Sequence, residues 1–382
     1  MAHQIEPPGR LGDPNMSLAT DPRTNINLAK ALKPLRMDIN VPENRITPAT
    51  ASMAQIKKMM AKVNAMEEQT ADLMPRDLPS DKTRPEVDCK TVTIKGVDGN
   101  DVNLYVYRRA DSGNVKLPCV VYIHGGGMVH GQTLSAGHVH WCKGIAIAGS
   151  VCIAIDFRNA FLPSSDGGIH HPFPAGLNDC ASGVQYIASH ESDLGISSLV
   201  LQGESGGANL AIATTLKAKQ DGWMKAIDGV YACVPYISGT WHRPQDHLLK
   251  ELPSLIENNG YFLQVTSMAL MAKFYTPDDK DLTNPLAWPY HATVEELKGL
   301  PPFVLVMDEL DPLRDEGIAF GRKLVQAGVG VTSSVNLGVI HATSLIFRQA
   351  LPELHFGTIN NIVAFAQSCR ENSDTPIRPK LS

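Results

Sequence analysis

The sequence predicts an α/β protein whose mostly parallel sheet carries helices on both faces. Three observations point there. From Leu117 onward, short and wholly apolar runs such as "PCVVYI", "SVCIAID" and "PPFVLVMD" alternate with segments of helical periodicity. That alternation is the pattern of strands buried between two helical layers. A turn-linked pair of alternating segments precedes them, so the sheet is expected to begin antiparallel. Finally, the stretch from Tyr236 to about Leu300 breaks the rhythm with helical pieces and no strand. An insertion at that point falls where strands deliver their ligands, as a cap would.

Taken in order, residues 1 to about 45 are rich in Pro, Asn and Asp and read as an extended arm with one short helix around Asn27 to Leu35. Pro48 opens the helical stretch "PATASMAQIKKMMAKVNAMEEQTADLM". Its Met53, Ile56, Met59, Met60, Val63 and Met66 recur at spacings of three and four, an apolar face suited to packing on the body or walling a pocket. "CKTVTIKG" and "VNLYVYRR" flank the turn signal "VDGND" as a hairpin. Then come "PCVVYIHGGG", a helix from about Ser135 to Ala148, "SVCIAIDFR", a helix from about Leu177 to Ser189, and "SLVLQG". A helix from Ala208, "GVYACVPY", the strandless block, "PPFVLVMDELD", a helix from Glu316 to Ala327, "VTSSVNLG" and a C-terminal helix ending near Cys369 complete the chain. The strand-like segments number eight. The expected division is residues 1–85 as arm and cap helices, 86–236 as the first part of the core, 237–300 as the cap insertion and 301–382 as the rest of the core.

The 382 residues, 43% hydrophobic and 19% charged, suffice for a soluble chain with an ample core. A net charge of -5 gives no footing for nucleic acid or an anionic membrane surface. A homodimer is left open. The opening residues carry neither the basic start nor the apolar core of a secretory signal, and no apolar run approaches a membrane span. The seven cysteines form no C-x-x-C and are expected to be reduced, so the expected location is the cytoplasm. His138 and His140 are two apart and His170 and His171 adjacent, neither a zinc spacing, so neither a metal nor another cofactor is expected.

The chemistry centres on "LVLQGESGGANL". An apolar run stops at Gly203, and Glu204, Ser205, Gly206 and Gly207 lead into a helix. A phosphate loop would need a lysine after the glycines, and a dinucleotide loop would need G-x-G-x-x-G; neither is present. What remains is G-x-S-x-G at a strand-to-helix turn, which lifts a serine hydroxyl above the sheet beside a helix N-terminus. Three partners turn this into a set. "YIHGGGMVHG" follows an apolar strand, and its glycines can turn backbone N–H groups towards an oxyanion together with the N–H of Gly206. Asp311 stands just past a strand and before Pro312, with Asp308 as the alternative acid; Asp315 and Glu316 suit the first turn of the next helix. His341 follows the last strand, whereas His355 lies inside the final helical region. The order Ser205, Asp311, His341 is that of a nucleophile, an orienting acid and a base on an open α/β sheet.

"HGGG", "HPFPAGLND", "GESGGANLA" and "DPLRDEG", in this order, resemble the hormone-sensitive-lipase-like carboxylesterases of the α/β-hydrolase fold, over roughly residues 85 to 370. The resemblance implies an eight-stranded α/β-hydrolase core with a helical cap and an oxyanion hole made by the amides of Gly126, Gly127 and Gly206. It implies a serine carboxylesterase acting through an acyl-enzyme on a small-molecule ester. Lactone or macrolactone opening and acyl transfer would use the same triad, and a non-catalytic ligand-binding protein is the reading from another class. Three departures stand out: Glu204 replaces Asp, Gly206 replaces Ala, and "DFRNAFLPSSDGG" replaces "DYRLAPE", which should reshape the pocket near Phe157 to Phe161.

Overall fold

The computed structural model describes residues 7–71, 74–241 and 243–374. The first six residues of the opening, expected to carry no secretory signal, and positions 72 and 73 of the expected methionine-rich helix lie outside them. Ten strands form: β1 (Val87–Lys95), β2 (Asp101–Arg109), β3 (Leu117–Ile123), β4 (Val151–Asp156), β5 (Phe161–Leu162), β6 (Ile169–His170), β7 (Ile196–Glu204), β8 (Gly229–Cys233), β9 (Phe303–Asp308) and β10 (Val331–Asn336). The helices are α1 (Ile26–Leu32), α2 (Met53–Ala71), α3 (Ala136–Ile147), α4 (Ala175–Ser189), α5 (Glu191–Leu194), α6 (Gly206–Gln220) and α7 (Gln245–Glu251). They continue with α8 (Ser254–Glu257), α9 (Val265–Tyr275), α10 (Val294–Leu297), α11 (Arg314–Gln326), α12 (Thr343–Ile346) and α13 (Pro352–Asp374).

Eight strands make one sheet in the order β1-β2-β4-β3-β7-β8-β9-β10, and β5 pairs with β6 separately. The hairpin β1–β2 and the β2–β4 pair are antiparallel and every other neighbour in the large sheet is parallel. Side chains alternate across the sheet. Cys119, Val121 and Ile123 join the core under α4, α6 and α11, while Val120 and Tyr122 join the core under α3 and α13. The strand order reverses between β3 and β7, so the chain leaves the sheet in opposite directions there, opening a crevice at the strand ends.

The arm is not loose. Leu18, Leu28 and Leu32 are buried against Tyr261, Leu310, Val339, Ile340 and Phe347, beside the loops that follow β9 and β10. Arg23 bonds Asp21 and Glu257, and Arg314 reaches Glu257 at 2.9 Å, so arm, α8 and α11 share one ion cluster. Between β8 and β9 the chain is helical, and α9 packs on α2. Lys273 of α9 donates to the carbonyls of Pro48 and Ala51, fixing the start of α2 over it. The face of α2 differs from the methionine stripe expected of it: Ile56, Met60 and Asn64 are buried, Met53, Met59 and Val63 partly so, and Met66 is exposed. Ala65, beside Met66, is likewise exposed. All seven cysteines are free thiols, with Cys89 exposed and the rest buried. No helix among the described residues is long and apolar enough to cross a membrane.

Candidate active site

β3 and β7 are parallel neighbours with Ile123 opposite Gly203, and Glu204 lies opposite Cys233 of β8. The glycine loop after β3 and the serine turn after β7 therefore leave the sheet side by side. At the turn Ser205 adopts φ 56° and ψ -120°, a conformation a residue with a side chain rarely takes. Three backbone bonds hold it there. Its N–H donates to Cys233 O (3.0 Å), and its carbonyl accepts from Asn209 N (3.1 Å) and Tyr236 N (3.2 Å). The glycines make the corner sterically feasible. A Cβ would stand 2.3 Å from the Gly207 carbonyl at position 203, 1.9 Å from Ile123 O at position 207 and 2.7 Å from Gly127 N at position 206. Ser205 is half-buried and stands at the N-terminus of α6, where unpaired amides favour negative charge.

The "HGGG" loop coils back tightly. Gly126 and Gly127 have φ of 96° and 62°, and Gly126 O accepts from Val129 N (3.0 Å) and His130 N (3.1 Å). The Gly127 and Gly206 backbones crowd one spot beside the serine. Helix α9 reaches over it: the terminal methyl of Met271 lies 2.3 Å from where a Gly127 Cβ would be, with the Tyr236 ring behind.

Asp311 and His341 come together because their loops are stitched to each other. Glu309 N donates to Asn336 O, Leu310 N to Val339 O and Gly338 N to Glu309 Oε2. His341 Nδ1 donates to Asp311 Oδ2 across 2.7 Å, and both side chains are buried. With its proton on Nδ1, the ring keeps a lone pair on Nε2. Asp311 Oδ1 accepts from Leu313 N at 2.9 Å, which fixes the carboxylate plane. Burial works to lower the His341 pKa. The charge and hydrogen bond of Asp311 are the largest influences against it, and the imidazole stands above its ordinary value.

The other candidates fall elsewhere. Asp308 accepts from Asn336 Nδ2 (2.9 Å) and Thr343 N (3.4 Å) rather than from the imidazole. Asp315 accepts from Ser254 N at 2.7 Å. His355 is buried, edge-on to Trp141, and its Nδ1 bonds Ser344 O, so it packs. Asp77, Asp81 and His140 approach one another, but Asp81 is already held by Arg348 at 2.8 Å and Arg84 at 3.4 Å.

Three supporting residues escaped the sequence reading. Asn258 donates from Nδ2 to Glu309 O (3.0 Å) and Asp311 O (3.1 Å), holding the acid loop from the segment between β8 and β9. Glu316 sits in the first turn of α11 as expected, yet it is buried and accepts from Ile237 N, Ser238 N, Ser238 Oγ and Trp241 Nε1. It thereby pins the start of the strandless block. Tyr122 donates to Glu204 Oε1 at 2.9 Å. Nothing in the spacing of Asn258 or Tyr122 marks these contacts, because their partners lie 51 to 82 residues away.

Residues 120–345 match the family described as having the alpha/beta hydrolase fold, and the chain belongs to that family. It is an enzyme of the esterase branch, acting on ester bonds, with a hormone-sensitive-lipase-like relationship. A solved structure of brefeldin A esterase, described as a bacterial homologue of human hormone sensitive lipase, is 44% identical. The match covers 96% of this chain and 99% of that one, with a TM-score of 0.92. Esterase Est22, solved with p-nitrophenol, is 33% identical over 91% of this chain and 99% of its own, with a TM-score of 0.79. Esterase LipI of Mycobacterium tuberculosis is 29% identical over 260 residues, 67% of this chain and 75% of its own.

Proposed function

We propose that the chain is a serine carboxylesterase that works through an acyl-enzyme. The observation that carries this reading is the 2.7 Å bond between His341 Nδ1 and Asp311 Oδ2, at strand ends that also present the strained Ser205. Ser205 Oγ attacks the ester carbonyl and His341 Nε2 takes its proton, while Asp311 holds the tautomer and stabilises the imidazolium. The amides of Gly126, Gly127 and Gly206 receive the oxyanion, each donor worth about 3 kcal/mol in such sites. The alcohol leaves with the proton from His341. Water, deprotonated by the same ring, then releases the acid. Residues 1–85 and 237–300 form the cap over this site, and the unpaired thiols favour a reducing compartment, the cytoplasm.

The likeness to brefeldin A esterase supports a second reading of the same chemistry, the opening of an ester within a ring. One experiment addresses both: turnover of p-nitrophenyl esters of graded acyl length, and of brefeldin A and simple lactones, by the protein and by Ser205→Ala. Expected are hydrolysis by the parent and loss of at least about 10³-fold in the variant. An inert parent, or equal rates, would overturn the proposal.

A further inference from the structure

Two more acids stand behind His341. Glu204 Oε1 accepts from Gly125 N (2.7 Å) and from the Tyr122 hydroxyl (2.9 Å), but Glu204 Oε2 is buried and has no hydrogen-bond partner among the described residues. Asp308 is held by Asn336 Nδ2 and, at 3.4 Å, by Thr343 N. Both carboxyls line one small cavity of about 10 Å³, shared with Trp141, Cys233, Asn336 and Ser344. Titratable side chains from several elements stand beside them among the described residues. Glu204 meets Tyr122 from β3, His138 from α3 (Nε2 3.8 Å from Oε1), Cys233 from β8, and His341. Asp308 meets Cys233, Asp311 and His341. Among the described residues no lysine or arginine pairs with either acid.

If both were ionised, three carboxylates would surround one imidazole. The ring would then hold a proton in the resting enzyme and could not accept the one from Ser205. We propose that Glu204 and Asp308 stand behind the triad as neutral carboxylic acids, so that Asp311 alone supplies the negative charge that acts on His341. Glu204 is in addition a positioning residue: Oε1 ties the oxyanion loop at Gly125 to the turn that carries Ser205, and its proton sits on Oε2. Burial supports this, pushing Glu204 up to about 8 against the hydrogen bonds from Gly125 and Tyr122. It pushes Asp308 up to about 7, with the Asp311 charge adding to it and the Asn336 bond opposing it. The inference rests on His341 being the base.

The test is infrared spectroscopy of the intact protein at pH 6, with Glu204→Gln and Asp308→Asn, beside the pH profile of kcat/KM on p-nitrophenyl acetate. Beside the band of Glu316, another buried acid that burial pushes up, two carbonyl bands of protonated carboxylic acids are expected in the parent, one vanishing in each variant. The acid limb of the profile should stay within about 0.3 pH unit, because a neutral amide replaces a neutral acid. Parent spectra without such bands would overturn the proposal. So would an acid limb that drops by about one pH unit or more in either variant, as removal of a real negative charge would cause. If a variant fails to fold, the parent bands and their loss as the pH is raised decide the question. The infrared arm needs no turnover, and Ser205→Ala tests the esterase reading separately.

Discussion

At His341 the choice of tautomer rests on one contact. Asp311 Oδ2 accepts from Nδ1, and Asp311 has no freedom to turn away because Leu313 N holds its other oxygen and Asn258 holds its backbone carbonyl. Asp311→Asn would keep the shape and reverse the logic. Its amide NH₂ can donate to Nδ1, which places the ring proton on Nε2, facing the serine. The expected result is a fall in kcat of about 10⁴ with KM little changed, measured from initial rates on p-nitrophenyl acetate. A loss below tenfold would transfer the role to another acid, and Asp308 is the nearest. The choice between Asp308 and Asp311 was legible in the sequence because Pro312 and the strand end fix where the chain departs. The partners that hold Asp311 were not legible: Asn258 lies 53 residues away and acts on a backbone carbonyl.

The same contrast appears among the elements. The β1–β2 hairpin, α3 and the G-x-S-x-G turn are written in local residues: a turn signal, Ser135 as a cap accepting from His138 N, and glycines where a Cβ would strike backbone. Glu316 shows what local reading misses. As an acid in the first turn of α11 it satisfies a dipole argument, but its carboxyl is spent on donors 75 to 79 residues away. Which turns of α2 face the body likewise depends on how far α9 extends beneath it, and no periodicity within α2 records that length. Helix α9 also carries a prediction. Met271 closes the space above Gly127, where the carbonyl of a bound ester would lie. Met271→Ala should open room for a longer chain and raise the ratio of kcat/KM for p-nitrophenyl octanoate over acetate by about tenfold. An unchanged ratio would show that α9 does not bound the substrate.

For the molecule as a whole, the buried ionisable groups set opposite slopes of stability against pH. Burial pushes His124 and His355 down to about 4. Their contribution is complete above an unfolded value near 6.5 and is lost as the pH falls through about 4. Burial pushes Glu204 up to about 8, and Asp308 and Glu316 up to about 7. For these the native state binds the proton more tightly than the unfolded chain, so their contribution is complete below about 4 and declines as the pH rises through the native values. Above pH 6.5 the histidines add little further slope, and between pH 7 and pH 8 Glu204 is the acid that loses the most, while Asp308 and Glu316 finish titrating. Unfolding by urea should therefore show the parent losing stability between pH 7 and pH 8, with about 1 kcal/mol of that loss due to Glu204. Glu204→Gln cannot lose a proton there, and its loss across the same interval should be smaller than the parent's by about 1 kcal/mol. Parallel losses in parent and variant would place the slope on other groups and remove Glu204 from the set of buried acids that stay protonated at neutral pH.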